Sequence, residues 1–299
     1  MNNELLIERE KTFVDNISDL YQYDDDIKHL LYLLIPAFII KYGINKEKLV
    51  QNTFLETPII PSKREDKYIK AYYSSKLYKD NNSIKTKKYM VIQNYQKNSL
   101  IELLDNLVHE FNHAINSYQN EISIEDNKVK VRTGLTFRIY AKDSLKFIEK
   151  DNSYILEEII NTKQTEDVIN ILKSFKIDDR SLDTTIYAIN NETKHEYESK
   201  SYYLETYICK EILKNRTFIS TLEKLRLSGN VLDITDWFDG IAGQGNYTKF
   251  INLLKEISDL EKDYTLKTLW KKRLLNKIKE KSKEVIEIVN KFNENVNFR

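Results

Sequence analysis

At 299 residues the chain is long enough for one large domain or two subdomains around a sizeable core. Its 47 Lys+Arg against 46 Asp+Glu leave no overall basic excess of the kind that nucleic acid attracts, and no acidic tail. The single cysteine, Cys209, cannot form an internal disulfide, and its apolar-periodic surroundings read as a buried, inert thiol. The first ten residues carry charges and no apolar run, which is no secretory signal, so a cytoplasmic location is expected.

Residues 3–44 predict two helices, with Leu30, Leu31, Leu33 and Leu34 turned inward. The apolar run from Leu30 to Ile40 is 11 residues long and holds Pro36. It is too short for a bilayer and suits a buried, kinked helix, so no membrane partner is expected. Thr57 to Pro61 (TPIIP) reads as an extended connector, because a residue before proline is pushed out of the helical region. Lys70 to Tyr78 and Lys88 to Tyr95 are rich in β-branched and aromatic residues and flank the turn-like DNNS, which predicts two paired strands.

Residues 99–118 predict a helix, and Lys128 to Ala141 an extended strand pair interrupted at Gly134, a glycine that a bulge also explains. Beyond Asp151 the pattern is helical, over roughly 153–175, 196–215, 217–228, 247–262 and 264–295. The expected class is α+β and predominantly helical. A small sheet and a central helix fall in 1–150 and an all-helical part in 151–299, with no Pro/Gly/Ser-rich linker between them.

The central helix contains His109-Glu110-Phe111-Asn112-His113, a match to HExxH. Side chains at i and i+4 share a helix face, so both imidazoles reach one metal ion, and the glutamate lies close enough to take a proton from water. With Phe111 at zero and 100° per residue, Leu100, Leu104, Leu107, Val108, Ala114, Ile115 and Tyr118 fall within about 60°, and His109 and His113 at roughly 160° and 200°. That phase argues against two core histidines. The histidine face also carries Glu102, Asp105, Asn106 and Asn116, so it is either solvated surface or the lining of a cleft.

A catalytic zinc site usually offers three protein ligands and an open position. His29 and His195 are poor thirds, one preceding the apolar helix and the other in the charged stretch KHEYESK. No histidine occurs in 114–124, which leaves a carboxylate, and Tyr154 to Asn161 (YILEEIIN) supplies Glu157 and Glu158 on a predicted helix. At these residues the chain resembles the gluzincin group of zinc metallopeptidases, in which HExxH is followed some tens of residues later by a helix bearing a ligating glutamate. The gap from His113 to Glu158 is 45 residues, and Glu158-Ile159-Ile160-Asn161 fits the pattern around that glutamate better than Glu157 does. The resemblance implies a zincin-like fold, zinc held by His109, His113 and Glu158, Glu110 as general base, and a peptide or protein substrate. It covers about residues 85–175.

The same resemblance implies a downstream donor for the oxyanion. Tyr202, at the head of YYLETYICKEIL, is the choice, with Tyr203 and His195 as rivals. Asp105, Asn161 and Glu166 are candidates to orient the ligating imidazoles. The glycine-rich FDGIAGQGNY, Phe238 to Tyr247, matches no phosphate-binding motif and reads as a flexible interhelical loop. Three functional readings result: a zinc hydrolase, a non-catalytic binding protein on a zincin scaffold, and a helical interaction protein with an accidental HEFNH.

Overall fold

The computed structural model describes residues 3–63, 70–81, 83–94, 96, 98–193, 202–266 and 271–297. It is α+β and predominantly helical, with two small sheets. Contacts divide the chain into two units that alternate along the sequence: Met1–Tyr118 with Gln164–Ser199, and Gln119–Lys163 with Lys200–Arg299. One crossing lies inside a single continuous helix, α5 (Tyr154–Lys173).

The first unit begins with α1 (Asn3–Tyr21), α2 (Asp25–Tyr42) and α3 (Glu47–Glu56). Asp24 caps α2 by accepting a hydrogen bond from Ile27 N at 3.0 Å. Leu30, Leu31, Leu33, Leu34 and Phe38 are all buried, which is why this helix reads as apolar all round. Among the described residues no single helix is long and apolar enough to cross a membrane.

Part of the expected connector is a strand. β1 (Ile59–Ser62) runs parallel to β3 (Ser83–Gln93), with Ile59 opposite Met90, and β2 (Ala71–Asp80) pairs antiparallel on the other side of β3. Four residues carry too little alternation to reveal a strand, and Pro61 is tolerated because β1 lies at a sheet edge. Next comes α4 (Leu100–Ser117), opened by a capping box in which Ser99 Oγ accepts from Glu102 N and Glu102 Oε2 from Ser99 N. Its apolar stripe enters the core, where Phe111 stacks on Phe54 at 3.8 Å. Helix α6 (Arg180–Glu192), capped by Asp179, was not anticipated. It buries Leu182, Ile186 and Ile189 at helical spacing, but Ser, Thr and Asn between them have low helix propensity.

In the second unit the stretch 128–141 is the strand pair expected, with Gly134 in its turn instead of at a bulge. β5 (Lys128–Thr133) and β6 (Thr136–Ala141) pair with Thr133 opposite Thr136, within the meander β4 (Ile122–Glu125), β5, β6 and β7 (Phe147–Lys150). Gly134 sits in the turn at φ +56°, and a Cβ there would run into the Glu157 carboxylate. Glycine is required on both counts.

The helices α7 (Tyr203–Ile208), α8 (Lys210–Leu213), α9 (Arg216–Ser228), α10 (Ile234–Ala242), α11 (Asn246–Leu266) and α12 (Lys271–Asn297) complete the unit. The helix expected over 196–215 starts outside the described residues and breaks at Cys209, and α10 is an addition. Phe218, Phe238, Phe250 and Phe292 form the centre of this core. The glycine-rich segment joins α10 to α11 and is pinned, since Asp239 accepts from Gly245 N (2.8 Å) and Tyr247 N (2.7 Å). Cys209 is fully buried, and burial pushes its thiol pKa up, so it is inert.

Candidate metal centre

Two helices carry the candidate residues. On α4 every residue from Glu110 to Ser117 is buried, so the carboxyl half of this helix has no solvated side. The His109 and His113 rings lie 4.9 Å apart between centroids, at 80° to one another. That is the i, i+4 juxtaposition the sequence implied.

A neutral hydrogen-bond network covers the polar face beside His113. Tyr42 OH donates to Asn112 Oδ1 at 2.8 Å, and Asn116 Nδ2 donates to Tyr42 OH at 2.9 Å and to Gln164 Oε1 at 3.0 Å. Asn112 Nδ2 reaches Thr165 Oγ1 at 3.3 Å. These bonds fasten the carboxyl half of α5 to α4, because Gln164 and Thr165 belong to α5. Lys41 adds an ion pair to Asp167 on the same helix at 2.7 Å.

Helix periodicity then places the acids. Glu158 precedes Thr165 by seven residues, two turns, and shares its face. One ligand atom from each of His109, His113 and Glu158 falls within 4.8 Å of the others. Glu157, about 100° around the helix, is engaged elsewhere: its Oε1 accepts from Arg226 Nη2 at 2.5 Å and its Oε2 from Leu135 N at 2.8 Å.

The donor set suits zinc. Two imidazoles and one carboxylate are a catalytic complement with one position left over. Zinc bonds of about 2.0–2.2 Å in a tetrahedron set ligand atoms about 3.3 Å apart. The donors would have to draw in by at most about 1.5 Å, within the reach of side-chain rotation.

Glu110 is buried beside the histidines, and its Oε2 accepts from Tyr73 N of β2 at 2.5 Å. β2 is an edge strand, which frees that amide from the sheet ladder. A cation also stands near Glu158. Lys150, at the end of β7, places its Nζ 4.5 Å from the centre of the Tyr154 ring. Burial lowers its ammonium pKa, and the Glu158 carboxylate is the largest influence opposing that.

The remaining candidates lie in varied places. Tyr202 has a left-handed backbone at the head of α7, and its half-buried ring packs against the second unit's apolar cluster. Tyr203 is 63% exposed and stacks on Tyr207. Asn161 accepts from Arg226 Nη2 at 3.0 Å. Asp105 and Glu166 are half-buried on α4 and α5, His29 lies on α2, and His195 is outside the described residues.

Sequence reasoning missed Tyr42, Gln164, Lys150 and Arg226. Tyr42 is 70 residues from its partner Asn112 and carries no local signal. The burial of Asn112 and Asn116 was hidden by their polarity, which reads as surface. Comparison with family models, with curated proteins and with solved structures found no match for this chain.

Proposed function

We propose that this protein is a zinc-dependent hydrolase acting on peptide bonds, of gluzincin type on a zincin-like scaffold. The observation that carries the reading is the grouping of His109, His113 and Glu158 with Glu110 beside it. The three donors would hold the ion, and the missing fourth ligand leaves a place for the reaction. When bound, zinc supplies Lewis acidity, which makes water nucleophilic at neutral pH and polarises a carbonyl.

The chain's own work is proton transfer. Tyr73 N–H occupies Glu110 Oε2, so Oε1 is the atom that accepts the proton from water and later returns it to the leaving amine. The Tyr73 bond also fixes the carboxylate plane, which spares Glu110 the entropy of searching for its reactive orientation. Burial of Glu110 and His113 keeps bulk water from competing for those hydrogen bonds. Tyr202, at the head of α7, is the donor that this reading assigns to the oxyanion.

The test combines metal analysis with turnover of a fluorogenic peptide library. Purified protein should hold one zinc per chain, and His113→Ala should lose it. Glu110→Gln should keep the zinc and lose turnover by about 10²–10⁴-fold. Full zinc in His113→Ala would sink the ligand assignment. A zinc-loaded chain that cleaves no member of the library would point to the binding scaffold instead.

A further inference from the structure

The balanced total charge conceals a local excess. Residues 271–283, the amino-terminal half of α12, contain Lys271, Lys272, Arg273, Lys277, Lys279, Lys281 and Lys283 against one acid, Glu280. Elsewhere, many of the chain's lysines are matched: Lys28 with Asp15, Lys41 with Asp167, Lys85 with Asp80, Lys130 with Glu125, Lys255 with Asp259. Within this stretch Lys281 pairs with Glu256 and Lys271 lies over the Tyr264 ring. Lys272, Arg273, Lys277, Lys279 and Lys283 form no ion pair with any described residue.

The helix also has a distinct outer ridge. Ile278, Val285, Val289 and Phe292 are buried and take up its inner face. Lys272, Leu275, Lys279, Lys283 and Ile286 follow one another at steps of three or four residues and share one outer face. All five are exposed, Leu275 at 40% and Ile286 at 43%. The ridge thus sets two partly exposed aliphatic side chains among three lysines that form no ion pair with a described residue.

We propose that this ridge of α12 docks on an anionic phospholipid surface. Lysine stems can lie along the headgroup layer with their ammonium groups on phosphates, and Leu275 and Ile286 enter the interface between them. A nucleic acid would satisfy the lysines equally well, but its phosphate backbone offers Leu275 and Ile286 nothing. The apolar pair therefore favours lipid. Each lysine near an anionic surface contributes about 1 kcal/mol, so three of them change partitioning by roughly a hundredfold.

The experiment is vesicle co-sedimentation of the full chain in 0.1 M salt. Vesicles are phosphatidylcholine alone or with one third phosphatidylserine. Wild type should sediment only with the anionic vesicles. Lys272→Gln/Lys279→Gln/Lys283→Gln should weaken this about a hundredfold, whereas Lys48→Gln/Lys76→Gln/Lys146→Gln, the same charge change at exposed lysines elsewhere, should weaken it less than threefold. Leu275→Ser should lower vesicle binding several-fold and leave heparin binding unchanged. Equal loss in the two triple variants, no loss in Leu275→Ser, or tighter binding to duplex DNA than to vesicles would each overturn the proposal. None of these readouts depends on the metal centre.

Discussion

Helix α5 buries a charged network on its amino half and a neutral one on its carboxyl half, where the ion pair of Lys41 with Asp167 is partly exposed. On the charged side Glu157 and Arg226 are 1% and 0% exposed, and Arg132 beside them donates to the carbonyls of Gly134 and Arg226. On the neutral side Tyr42, Asn112, Asn116, Gln164 and Thr165 exchange hydrogen bonds between uncharged groups. The two differ in what a single lesion costs. A neutral hydrogen bond is worth about 1 kcal/mol net, but removal of one partner from a buried ion pair strands a charge. The charged network therefore fixes the side chain of Glu157 much more severely than the neutral one fixes the helix. Glu158, one residue on, is left to face the histidines.

The largest expected effect tests the charged half. Arg226→Met should destabilise the chain by about 3–5 kcal/mol, because Glu157 loses its counter-ion inside the core. The double variant Arg226→Met/Glu157→Met should recover most of that loss in denaturant unfolding. A double variant as unstable as the single one would show that packing, not charge, separates the two halves.

The next prediction sharpens the contrast between neighbouring acids. Glu157→Gln should cost stability, about 2–4 kcal/mol, and leave zinc affinity within a few-fold. Glu158→Gln should do the opposite: the metal-free chain melts within about 0.5 kcal/mol of wild type, and zinc affinity in a chelator competition falls by at least tenfold. If Glu157→Gln is the variant that releases zinc, the ligand register is shifted by one.

The neutral half should respond more mildly. Tyr42→Phe removes one hydroxyl from Asn112 and Asn116 and should cost about 1–2 kcal/mol in chemical unfolding. A loss as large as that of Arg226→Met would erase the distinction between the networks. The smallest effect concerns Lys150. Its ammonium repels a dication near Glu158, so Lys150→Met should tighten zinc binding about three- to tenfold. Weaker binding in that variant would assign Lys150 a supporting role in orienting Glu158.

The residues differ in how openly the sequence declares them. HEFNH was visible because its meaning is local: the i, i+4 spacing puts both rings on one face whatever surrounds the helix. The capping box at Ser99 and Glu102 is local in the same way. Gly134 was recognised as a special position, but its turn, and the Glu157 carboxylate that crowds it, come from a pairing of β5 with β6 and from a helix 20 residues on. Glu157 and Glu158 are chemically alike and adjacent, and no local rule gives one of them an arginine from residue 226.

The sequence by itself determined the helical predominance, the apolar stripe of α4 and the placement of His109 and His113 on one face, since helical periodicity and side-chain polarity are properties of neighbours along the chain. Tertiary structure alone decided that Asn112 and Asn116 are buried instead of solvated, that Glu157 is tied to Arg226, and that a ligand atom of Glu158 comes within 4.8 Å of those of both histidines. Those outcomes depend on partners 45 to 74 residues away. The energy that selects them is the cost of burying polar groups unmatched, which exists only once the core has closed.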